Sequence, residues 1–378
     1  MTYVPNPTNT AQPDTTVQAG TAAAEFRALK AYLAGTVPPP VASSISAQVA
    51  AVVASATSAA TTIAAAAAGT SAGFKENVRI RVLTSTTLVA SCLNAVLRNA
   101  AGLGVSVNLI GSIATGTIGI GGTESGAVTA SSWLGIYGIS SGSSVSGVIG
   151  VQGLTATGNT TNGSVTVSGV SSTAGMFVGQ VISCAQFPSG AVIYTLGSGT
   201  FTVSEQATAT QVGASISYMP LPSSTTQMTY PYYCYLGSVR VNGSGNLLAT
   251  LQYGRSAQYV VGGVNVTNVP QMANGTAGDV SVPTWVGVAV AAFIPPTAQC
   301  IDAFVSVVAA SQVAMLAPSS SYGAYNSATN PPPVAAANPS GSATQRAGKK
   351  LLLETNSVYW AGGGINTGLF CVGWEDNL

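Results

Sequence analysis

Histidine is absent from this 378-residue chain, and Asp, Glu, Lys and Arg together make up only 6% of it. The first absence excludes Ser-His-Asp and Cys-His nucleophilic sites, and any zinc site built with imidazole. The second, with a formal net charge of +1, leaves too few basic groups to neutralise a run of phosphates, so nucleic acid is not an expected partner. Cysteine is scarce too. Cys92, Cys184, Cys234, Cys300 and Cys371 are odd in number, far apart and form no CxxC pair, so they read as buried free thiols. GIGG at 119–122 and AGGGI at 361–365 are followed by neither Lys-Ser/Thr nor a helical pattern, and they read as turns. No cofactor or metal is expected. The opening MTYVPNPTNTAQPD lacks the basic and apolar regions of a signal peptide.

What is present points to β structure behind a helical rod. Hydrophobic residues reach 47%, too many for a solvated disordered chain, and 44 glycines among many Val, Ser and Thr suit short strands and turns. The rod is the Ala-rich stretch at 41–68. Ile45, Val49, Val52, Ala56, Ala59 and Ile63 recur at alternating steps of four and three, the a/d spacing of a coiled-coil seam. No charge lies between Lys30 and Lys75, and so slim a seam needs identical partners. The segment is therefore predicted to be the stalk of a homotrimer, about 42 Å long at about 1.5 Å per residue. A membrane span competes by length, but Leu, Phe and flanking anchors are missing, so none is expected. A low-complexity spacer is the other alternative.

Ahead of the stalk, TAAAEFRALKAYL at 21–33 predicts a short amphipathic helix with Phe26, Leu29 and Leu33 on one stripe, stopped by Gly35 and Pro38–Pro40. After Gly73 the pattern turns to strands: 78–91, 93–102, 133–140, then TYPYYCYLGSVRVNGSGNLLATLQYG with a hairpin turn at Asn242-Gly243. Residues 155–217 alternate strongly and read as a small inserted β module. The C-terminal third supplies further strands around a long loop at 317–347. Trp133, Trp285 and Trp360 each sit in apolar strand patterns and are expected in the core.

PNPTNTAQPDTTVQAGTAAAEFRALKAYL resembles the virion-attachment segment of fibre proteins of short-tailed, podovirus-like bacteriophages. LVASCLNAVLRNAAG, SSWLGIYGIS and the stretch from Pro220 to Arg255 are similar to a β-rich domain of such fibres, and 178–204 resembles a second phage structural module. The resemblance implies a tail fibre: an attachment segment at 1–40 and a coiled-coil stalk at 41–73. A β-sandwich-like domain follows at 74–154 and 218–316, with the module at 155–217 inserted in it; the loop and strands at 317–378 lie outside the resemblance and are read from their residues as a receptor-binding tip. Its partners would be its own copies, virion proteins near the tail or portal adaptor, and a host-surface glycan or protein. A head fibre or capsid decoration protein shares these features. A polysaccharide-cleaving tailspike is the enzymatic alternative, but it calls for paired carboxylates; of the ten acids, Glu375 and Asp376 are adjacent near the C-terminus, and Glu124, Asp279 and Asp302 could converge only across a trimer interface that nothing in the sequence demands. An enzyme is therefore not expected. For receptor binding, the sequence nominates Tyr322, Tyr325, Asn326 and Asn330, aromatic and amide groups in an irregular polar stretch.

Overall fold

The computed structural model describes residues 75–99, 103–142, 145–223, 229–341 and 343–377. The expected helix at 21–33 and stalk at 41–68, with Phe26 to Leu33 and Ile45 to Ile63, lie outside the described residues. Within them the chain is mainly β, 52% strand, with several sheets and no helical element.

Strands β1 (Glu76–Val82), β2 (Thr87–Arg98) and β3 (Gly104–Ala114) form an antiparallel meander. Val78, Ile80 and Val82 alternate inward while Arg79 and Arg81 face out. The sequence placed the strand break near Cys92. It falls instead at 83–86, where the Thr84 hydroxyl accepts the amide hydrogens of Thr86 and Thr87 at 3.2 and 3.0 Å. Near Cys92 the chain only bulges, with Asn94 at φ 51°.

The next hairpin, β4 (Trp133–Ser140) and β5 (Ser146–Gln152), is buried along almost its whole length. Leu134 and Ile136 enter one core with Leu88, Leu97 and Leu109. Trp133, Tyr137 and Ile139 enter a second core on the opposite face. A strand packed on both sides has no room for bulk at every position. A Cβ at Gly135 would collide with Met219, and one at Gly138 with Leu109.

Residues 154–218 then fold around a third, separate core that includes Phe187, Phe201, Ile216 and Tyr218. Its strands are β6 (Leu154–Thr160), β7 (Thr166–Val167), β8 (Ile182–Ser183), β9 (Ile193–Gly197), β10 (Thr200–Val203) and β11 (Gln211–Tyr218), in two three-stranded sheets. Val178 lies in an exposed turn of this module, while Val181 forms an isolated bridge with Val192.

The remainder comprises β12 (Tyr232–Arg240), β13 (Thr250–Tyr253), β14 (Ser256–Tyr259), β15 (Gln271–Asn274), β16 (Val286–Ala289), β17 (Ala298–Val307), β18 (Gln312–Ala317), β19 (Val334–Asn338), β20 (Gln345–Leu352), β21 (Ser357–Gly362) and β22 (Thr367–Asp376). A large sheet runs β20-β17-β22-β14-β13-β1-β2-β12-β4-β5, and a four-stranded sheet β16-β21-β18-β19 shares the second core with it. Two expectations change here. The expected loop at 317–347 contains β19, whose Val334, Ala336 and Asn338 alternate inward against β18; Pro331–Pro333 hide that start in the sequence. The turn after β12 is also wider than an Asn-Gly pair. Val241 bridges Leu247, and Gly245, not Gly243, takes the positive φ of 77°.

Candidate functional site

The nominated loop closes on itself. The Asn330 side-chain amide donates to the Ser321 carbonyl at 2.8 Å, and the Gly323 amide donates to the Asn330 carbonyl at 2.8 Å. Asn330 thus clasps the loop. Trp285 donates its indole N–H to the Tyr322 carbonyl at 2.9 Å, and the Tyr325 amide donates to the Val280 carbonyl at 3.1 Å. The expectation of Trp285 in the core changes with this: it is half-buried and braces the loop. On that neighbouring turn the exposed Asp279 carboxylate accepts the amides of Val282 and Ser281, which hold its pKa below the usual value. Tyr322 and Tyr325 are half-buried, and Asn326 is exposed. Of the four nominated residues, three therefore contribute groups to holding the loop in place.

A different surface presents a built groove, and the sequence reading missed it. In β17 the alternation sends Ile301, Ala303, Val305 and Val307 into the core and leaves Asp302 and Phe304 on the outer face. Phe304 is in register with Phe370 of β22, and their rings stack with centroids 5.0 Å apart and planes 13° from parallel. On the other side, Arg346 of β20 places its guanidinium over Phe304, 6.0 Å from the ring centroid. The result is a column of Arg346, Phe304 and Phe370 standing on the sheet. Asn265, Thr267 and Asn268, on the segment leading into β15, and Gln271 at its start line the same cavity as this column, of about 680 Å³. Asn265 is fixed there by donating from its amide to the Leu247 carbonyl at 2.8 Å. The lining holds one cation, Arg346, and no carboxylate. The signal available in the sequence was CIDAFVSVV, an aromatic residue on the outward phase of a strand between Asp and Ser.

The buried polar groups serve structure. Asp376, with no exposed surface, accepts from the Tyr235 hydroxyl at 2.7 Å and from the Asn377 amide at 3.1 Å. The same hydroxyl lies 2.7 Å from Ser238 Oγ and 2.8 Å from Thr297 Oγ1. Burial raises the Asp376 pKa above its ordinary value, opposed by hydrogen bonds from Thr297, Tyr235 and Asn377 and by the charge of Lys75. A raised folded-state pKa contributes stability below the ordinary 3.8, and that contribution is lost as pH rises through the folded pKa. Asp376→Asn is therefore expected to gain stability relative to the native chain as pH rises from about 4 to about 7. Urea midpoints of the two proteins measure this; a gap that moves the other way contradicts it. The five cysteines are buried and unpaired. Burial pushes the Cys234 and Cys371 thiols up to about 12, so neither is a thiolate at neutral pH.

Among the described residues no group of three or more potential metal ligands occurs, and no helix is long and apolar enough to cross a membrane. No protein-family model matches this chain, and no curated protein or solved structure does either.

Proposed function

We propose that this chain is a structural tail-fibre protein of a tailed bacteriophage. In this reading it is a homotrimer fixed to the virion through residues 1–40, and its β modules face the host surface without catalysing a reaction. The observation that supports this best is a group of exposed apolar side chains, interspersed with Arg79 and Arg81, on the first strands after the predicted stalk. On the outer side of β2 and β3 and in the turn before β2, Leu83 is 47% exposed, Val89 37%, Leu93 47% and Ile110 85%. Val89 and Ile110 share one side of the meander, since Val89 pairs with Ser112 and Ser91 with Ile110, two residues apart along each strand. Tyr253 of β13 extends the patch, with Arg79 over its ring at 5.2 Å. Such a patch is costly in water and marks a contact surface. In a homotrimer such side chains would be covered by those of the other copies.

Deleting residues 1–40 is expected to leave a folded trimer that no longer joins particles. Particle composition after complementation measures this, and continued incorporation of the shortened chain contradicts the attachment role. The tailspike alternative is tested by looking for new reducing ends after incubation with host envelope polysaccharide; their appearance overturns the non-enzymatic reading.

A further inference from the structure

The groove beside the Arg346–Phe304–Phe370 column carries a more specific reading. We propose that it is a binding site for a carboxylate-bearing saccharide, with the Phe370 side contacting sugar C–H groups, the Asn265–Gln271 wall bonding hydroxyls and Arg346 pairing with the carboxylate. This deepens the host-surface reading by naming a site and a ligand class.

Four observations narrow the ligand. The column and the Asn265–Gln271 segment come from different parts of the chain, yet they line one cavity of about 680 Å³. The wall is rich in amides and a hydroxyl, whose planar donors and acceptors suit a polyhydroxylated ligand. Arg346 is exposed, has no carboxylate within ion-pair distance among the described residues, and lies beside a lining that holds no acid. That combination favours an anion, and guanidinium matches a carboxylate through two parallel hydrogen bonds. Finally, Gly368 lies beside Phe370 without a positive φ, so its backbone does not demand glycine. A Cβ there would come within 2.7 Å of the Phe370 ring and 3.3 Å of the Gln271 amide. The Phe370 ring therefore packs directly over the buried Gly368, and a side chain there would displace it from the column.

Other ligands fit less well. An extended peptide adds to a free strand edge, and here only the marginal strands β20 and β15 have one; β17 and β22, which carry Phe304 and Phe370, are hydrogen-bonded on both sides, so no strand can be added along the ring pair. A nucleic acid strand needs several cations along its phosphates, and the lining supplies one.

The test uses the purified full-length protein and two probes. One is a tetrasaccharide of alternating glucuronic acid and N-acetylglucosamine; the other is the same compound with its carboxylates reduced to alcohols. By calorimetry the acidic probe is expected to bind at least about tenfold more tightly than the reduced one. Arg346→Gln, an exposed change, should abolish that preference without moving the melting temperature, and Phe370→Ala should weaken both probes by about tenfold or more. Asn268→Ala, also at an exposed position, should weaken both probes, and it serves as a second variant if Phe370→Ala fails to fold. The proposal is overturned if neither probe binds up to about 10 mM, or if a preference for the acidic probe survives in Arg346→Gln. Either failure leaves the trimer and the particle attachment untouched, because those are read from mass and incorporation.

Discussion

Trp374→Ala is expected to destabilise the β head by about 3–5 kcal/mol, the cost of emptying a fully buried aromatic site. Trp374 is 1% exposed and joins distant parts of the large sheet. Its ring meets Trp133 of β4 edge-on at 5.2 Å and Tyr259 of β14 at 5.5 Å. Each such pair adds about 0.5–1.5 kcal/mol beyond the area it buries. Against a whole-domain stability of about 5–15 kcal/mol, this loss brings unfolding close to room temperature conditions. Trp374→Phe should behave very differently. The Trp374 indole N–H is buried and finds no acceptor in the structure, so removing it relieves a desolvation cost of about 1–3 kcal/mol. Much of what the smaller ring loses in packing is thereby offset. Urea unfolding of the two variants side by side measures the contrast. Equal losses would mean that the indole N–H is bonded after all.

The second large effect concerns assembly. Ile110→Lys changes a side chain that is 85% exposed in a single copy, so an isolated head should fold unchanged. In a trimer whose outer β1–β2–β3 faces meet, it would add three like charges to a contact that already holds Arg79 and Arg81 of each chain, each costing on the order of several kcal/mol. Dissociation to monomers is expected. Val212→Lys, at an equally exposed position (79%) in the inserted module, is the control and should leave the assembly intact. Light-scattering mass after size exclusion reads both. A trimer that tolerates Ile110→Lys removes this face from the interface.

How much of this was legible in the sequence depended on the range of the contacts. The alternation of Val78, Ile80 and Val82 announced β1 because one face is buried and the other wet. WLGIYGIS announced a strand as well, but not that both its faces are packed; that follows from Leu109 and Met219, which arrive from far along the chain. β19 escaped notice because a proline run precedes five small residues whose pattern has meaning only against β18. The candidate groove was the hardest part. Phe304 and Phe370 are separated by most of the C-terminal third, and only the β17–β22 register makes them neighbours. The nominated loop was visible as polar and aromatic, yet composition alone does not reveal that Asn330 is committed to closing it.

The central claim is threefold assembly, since particle attachment, shielding of the Leu83–Ile110 face and repeated display of a weak groove all depend on it. The most direct measurement is the mass of the full-length protein in solution, by native mass spectrometry or light scattering at neutral pH. A species of three times the 37.4 kDa chain, persisting on dilution, is expected. A stable species with the mass of one chain would contradict threefold assembly.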